Sequence, residues 1–154
     1  MTKLEILYDD IYNSGTEIID SHFSETKKAA SLYDGGGDNI ILLDSSNIID
    51  TYEEYSILLV EEAHIATSAF YTITSEYNKS MERTERIRHK GTARRHAIET
   101  RFPYDEIKPI FDKCFYYDEL NLYEFAECLG ITVSLARNIL DYYIQKGQLV
   151  ISCE

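Results

Sequence analysis

Apolar residues near the start of the chain recur at the spacing of a helix face: Leu4, Leu7, Tyr8, Ile11 and Tyr12 predict a helix over residues 3–14. Ile18 and Ile19 predict a short strand, and Ser24 stands where it would cap a further helix carrying Lys27 and Lys28. Gly35-Gly36-Gly37-Asp38 is a turn signal. With Leu32-Tyr33 before it and a strand-like run over residues 39–44 after it, the pattern is that of a β-hairpin. Residues 50–70 are helical and apolar on most sides (Ile57, Leu58, Leu59, Val60, Ala63, Ile65), which predicts a helix in the middle of a domain. A polar helix over roughly 76–101 is closed by Phe102-Pro103. The last third reads as helices over 103–113, 119–128 and 132–146, the final pair separated by Leu129-Gly130-Ile131-Thr132. Gly147 stops the last helix before a short strand at Leu149-Val150-Ile151. The class is α+β, mainly helical.

Composition changes this picture in two respects. A chain of 154 residues that is 44% hydrophobic can bury a real core. Its longest aliphatic stretch, Ile57 to Val60, is far short of the roughly 20 residues a membrane helix needs, and Met1-Thr2-Lys3-Leu4-Glu5 carries no apolar signal region. A soluble, cytoplasmic protein is expected. Cys114, Cys128 and Cys153 are odd in number and have no C-x-x-C spacing, which speaks for reduced thiols rather than a disulfide framework. The net charge of −12 disfavours general nucleic-acid binding and suits a basic protein partner. That charge is uneven: residues 79–101 hold eight basic and three acidic side chains, leaving seven basic and 24 acidic elsewhere.

Candidate chemistry is concentrated in the apolar helix, where Glu61, Glu62 and His64 interrupt the aliphatic pattern. Burying such groups costs several kcal/mol unless they are paired, hydrogen-bonded or metal-bound. In Ser56-Ile57-Leu58-Leu59-Val60-Glu61-Glu62-Ala63-His64, together with the preceding strand at 39–44, Ala93-Arg94-Arg95-His96-Ala97, Arg101-Phe102-Pro103 and the segment 122–132, the chain resembles the phage and mobile-element branch of the ImmA/IrrE zinc metallopeptidases. The resemblance implies a small sheet packed on a zincin-like active-site helix over residues 1–101. A helical, helix-turn-helix-like part over 102–154 would pack with it.

That family binds zinc through H-E-x-x-H on a helix, two histidines sharing one face with a general-base glutamate between them. By resemblance Glu61 takes the place of the base and His64 that of the second ligand. Val60 stands at the first ligand position, and an aliphatic side chain cannot bind Zn²⁺. The third position, three residues before Ala93, is Lys90, whose ammonium would repel a cation. Two of the three ligand positions are lost, so ordinary peptidase catalysis is not expected. A reduced zinc site remains open, from Glu61 and His64 at i,i+3 spacing with His89 beside the lost position. So does the alternative of a plain structural histidine.

Three functions follow. The first is an accessory protein of a phage or mobile element that binds and inhibits a basic, nucleic-acid-handling protein such as a CRISPR effector nuclease. Its contacts would be the acidic, tyrosine-bearing segments Tyr116-Tyr117-Asp118-Glu119 and Tyr52-Glu53-Glu54-Tyr55. The second is an active zinc endopeptidase cleaving a repressor. The third is a small regulator reading DNA through the helix at 133–146, whose Arg137, Asn138, Gln145 and Lys146 are offset by Asp141.

Overall fold

A computed structural model of the protein describes residues 1–24, 26–33, 38–67 and 79–151, and the backbone alone for residues 79–86. No helix among them is long and apolar enough to cross a membrane. The chain divides into two compact units, Met1–Ala97 and Ile98–Glu154.

The first unit opens with α1 (Lys3–Asn13). Thr2 starts it through a reciprocal cap: its hydroxyl accepts from the Glu5 N–H at 3.2 Å, and the Glu5 carboxylate accepts from the Thr2 N–H at 2.6 Å. Leu7 and Ile11 are buried as their spacing predicts, but Tyr12, expected on the same face, is 80% exposed. Three strands follow, β1 (Glu17–Asp20), β2 (Ala29–Tyr33) and β3 (Asn39–Leu43), in the spatial order β1-β3-β2. β3 pairs antiparallel with β2 across the predicted hairpin, Tyr33 opposite Asn39, and parallel with β1 on its other side. The glycine turn itself lies outside the described residues.

The helix expected after Ser24 does not form across the described residues of that segment. Residues 26–28 are non-helical and β2 begins at Ala29, leaving less chain than a stable helix requires. Lys28 is held elsewhere: its carbonyl accepts from the Asp44 N–H at 2.8 Å, and its ammonium pairs with Glu53. α2 (Thr51–Ala66) starts at Asp50, whose carboxylate accepts from the Glu53 N–H at 2.8 Å, and buries Tyr55, Ser56, Leu58, Leu59 and Ala63. The part of the predicted helix at residues 68–70 lies outside the described residues. α3 (Lys79–Arg101) buries Ala93 and Ala97, which cluster with Ala63 of α2 among the described residues.

Asp44, just after β3, is a carboxylate with only 1% of its surface exposed. It accepts from Ser46 Oγ at 2.6 Å, Asn47 Nδ2 at 2.9 Å and the Phe23 N–H at 3.1 Å, with His22 Nδ1 at 3.2 Å. The Ser46 hydroxyl foremost, then the Phe23 amide, hold its pKa below the ordinary aspartate value. Asp20 is lowered by the Ser45 hydroxyl, and Glu53 by the Lys28 ammonium. A carboxylate depressed on folding contributes stability above its unfolded pKa, and that contribution is lost as pH falls through the lower folded value. The melting temperature is therefore expected to fall as pH drops below about 4. Asp44→Asn, which turns an acceptor's oxygen into a donor facing donors, should lower it by about 5 °C at neutral pH and shrink the acid-dependent fall. Thermal melts across a pH series check both.

The second unit comprises the end of α3, α4 (Tyr104–Cys114), a two-stranded hairpin of β4 (Phe115–Tyr116) and β5 (Glu119–Leu120), α5 (Leu122–Leu129) and α6 (Val133–Gln145). The helix predicted from residue 119 starts later. Glu119 and Leu120 pair with β4, and α5 begins only behind Asn121, whose side chain accepts from the Glu124 N–H at 3.1 Å. Gly130 (φ 70°) ends α5 in the left-handed conformation that glycine adopts at least cost, and Thr132 caps α6 through the Leu135 N–H at 3.2 Å. The core is Ile107, Phe111, Phe125, Ile131, Ile139 and Tyr143, and the Tyr143 hydroxyl donates to the Phe102 carbonyl at 2.5 Å. The expected strand at 149–151 is not formed. Leu149 is buried against the end of α6, its N–H 3.3 Å from the Tyr143 carbonyl, while Val150 is 64% exposed with no neighbouring strand among the described residues.

Candidate functional site

Glu61, Glu62 and His64 of α2 are half-buried rather than fully enclosed, and so is Val60. Glu61 meets β2, where Ser31 Oγ lies 2.5 Å from Glu61 Oε2 and 2.9 Å from the Glu61 carbonyl oxygen. The serine hydroxyl thereby ties the carboxylate to the sheet. The desolvation that the sequence pattern implied for Glu61 is met by a neutral donor, which needs no metal. His89 is half-buried on α3, and Lys90 beside it is exposed. Among the described residues no three His, Cys, Asp or Glu side chains are grouped to hold a metal ion, and Glu61, His64 and His89 accordingly form no such group.

The two acidic, tyrosine-bearing segments have different surroundings. In the segment at 52–55, Tyr55 is buried, Glu53 accepts from Lys28 and from the Ile49 N–H at 2.7 Å, and Glu54 accepts from the Tyr8 hydroxyl. Tyr52 is 42% exposed, but the carboxylates beside it are taken up by the fold.

The segment at 116–119 is the tip of the β4–β5 hairpin. Tyr116 pairs with Glu119, so Tyr117 and Asp118 make a two-residue loop, and both have positive φ, 53° and 61°. Such a loop in its right-twisted form requires left-handed backbone at both positions, where Asn-Gly is the usual occupant. A left-handed non-glycine residue costs about 1–2 kcal/mol. This hairpin holds a tyrosine there, with its side chain 94% exposed. Tyr116 is anchored instead: its hydroxyl accepts from Asn121 Nδ2 at 3.0 Å and donates to Glu124 Oε2 at 3.3 Å. The two rings meet edge to face at 6.1 Å. Tyr123, which the sequence reading did not single out, is 76% exposed on the first turn of α5. Residues 115–127 contain Asp118, Glu119, Glu124 and Glu127 but no lysine or arginine. The hairpin was missed because it contains no glycine or proline; the signal available was Asn121, an N-cap residue that displaces the helix start past 120.

No family model matches the chain, and no curated protein or solved structure matches it.

Proposed function

We propose that this protein acts by binding, not by catalysis, and that its contact surface is the β4–β5 hairpin with the first turn of α5. The observation that carries the reading is Tyr117, held in strained left-handed backbone and almost wholly exposed. Strain persists where the surrounding structure enforces it, and sites of contact are where such residues cluster. Rigid aromatic rings supply contact area at small entropic cost, and the carboxylates of Asp118, Glu119 and Glu124 complement a basic surface. The partner class is a protein with a basic groove that ordinarily holds nucleic acid. An accessory protein of a phage or mobile element, built on a metallopeptidase-like frame that has lost Zn²⁺ ligands at Val60 and Lys90, is the setting that fits.

A DNA-reading role is less well supported. Gly130 ends α5 in the left-handed conformation shortly before α6, but residues 98–154 carry five basic and ten acidic side chains, and phosphate contact needs the reverse balance. A peptidase would depend on Glu61 as base. Glu61→Gln keeps an acceptor for Ser31 and is expected to leave partner binding and its biological effect within about twofold of wild type. Loss of the effect in a folded Glu61→Gln protein would establish catalysis and end the binding-only reading.

A further inference from the structure

β1 is an end strand: β3 pairs with one of its edges, and no strand among the described residues pairs with the other. Beside it a groove of about 870 Å³ runs between α1 and β1, lined by Tyr8, Asp9 and Tyr12 from the helix, by Gly15 and Thr16 of the turn, and by Glu17 and Ile18 of the strand. Three features of this groove point the same way. Tyr12 occupies an apolar-face position of α1 yet is 80% exposed. The Tyr8 hydroxyl is fixed to Glu54, so its ring forms a wall already set in place. The charge is one-sided, since Asp9 and Glu17 line the groove and no basic side chain does among the described residues.

We infer that this groove takes an extended, lysine- or arginine-bearing peptide segment, added as a fourth strand on the outer edge of β1. An unpaired edge supplies main-chain donors and acceptors, which give affinity without regard to sequence, and side-chain pockets beside it select the peptide. Tyrosine faces and carboxylates select cations, because an aromatic face attracts a cation held against it and a nearby carboxylate adds a charge-assisted bond. A second copy of this chain is the wrong occupant, since pairing β1 with β1 would set Glu17 and Asp20 against the same acidic residues. A purely apolar peptide would desolvate Asp9 and Glu17 without compensation. Natural sheet edges are often protected by charge; here the protecting charge is acidic, and a basic strand turns it from a deterrent into an attraction.

The test uses the full chain and a fluorescent peptide of about ten residues alternating lysine with threonine or valine. A control peptide has the same sequence with alternate backbone amides N-methylated on the pairing edge. The plain peptide is expected to bind, with the N-methylated one at least about tenfold weaker. Glu17→Lys should weaken binding by about tenfold and Tyr12→Ala by about fivefold; both side chains are exposed, so folding is not at stake. Tyr117→Asn/Asp118→Gly should leave peptide binding unchanged, which keeps this site distinct from the hairpin surface. Equal binding of the two peptides would reduce the effect to bulk charge and overturn the inference. So would absence of binding at millimolar peptide, or a dimer in sedimentation that Tyr12→Ala dissolves.

Discussion

Tyr117→Asn/Asp118→Gly is expected to raise the melting temperature of the protein by about 4–8 °C while removing partner binding. The wild-type loop places a tyrosine and an aspartate at φ 53° and 61°, where the side chain crowds the backbone. Tyrosine costs about 1–2 kcal/mol there and aspartate less, against a residue suited to that region, and Asn-Gly is the pair that suits it best. A relief of about 2 kcal/mol corresponds to several degrees at this chain length. Binding should be lost because the exchange removes the most exposed aromatic ring of the surface and the carboxylate beside it. Asp118→Gly alone separates the two effects. It should keep about half of the stability gain and, with Tyr117 still presented, retain most of the slow dissociation. Calorimetric melts together with binding kinetics read both quantities. A hairpin exchange that lowers stability would show that the turn is not strained.

The second large effect is on association rate. Asp118→Lys/Glu119→Lys changes the charge of the tip by four units within a segment that otherwise contains no cation. Electrostatic steering commonly raises association rates by tenfold or more. The reversal is therefore expected to slow association with the basic partner by at least about tenfold at 0.05 M salt and to reduce its salt dependence. At 0.5 M salt, where screening acts within a few ångströms, the two proteins should associate at similar rates. Tyr116→Ala/Tyr117→Ala should act on dissociation instead, because aromatic contact is made only once the surfaces have docked. A charge reversal that changed only dissociation would mean that the carboxylates act by contact and not by steering.

These expectations rest on a fold that the sequence disclosed unevenly. The apolar helix at α2 and the β2–β3 hairpin were legible because long periodic runs and a glycine cluster leave few alternatives. Ser24 misled because a capping residue is only a permission: with β2 starting at Ala29 there was no room for the helix it could have begun. Leu149-Val150-Ile151 misled because strand propensity needs a pairing edge, and none lies beside it among the described residues. The segment at 116–119 was recognised by composition as acidic and aromatic, but its left-handed turn was not, since tyrosine and aspartate are poor indicators of such backbone. The segment at 52–55 looked equivalent in sequence. Its carboxylates differ because Lys28 and Tyr8, distant along the chain, reach them in the fold. Likewise, Val60 and Lys90 stand at ligand positions only by the resemblance, whereas the Ser31 hydroxyl on Glu61 required the sheet.

The most direct measurement is retention from a bacterial lysate on the immobilised full chain, in parallel with the Tyr117→Asn/Asp118→Gly and Glu61→Gln chains, with bound proteins identified by mass. The binding account predicts an intact basic protein held by the wild-type and Glu61→Gln chains, eluted by salt and absent from the hairpin variant. Equal retention by the hairpin variant, or fragments of the partner that appear with the wild-type chain and disappear with Glu61→Gln, would contradict it.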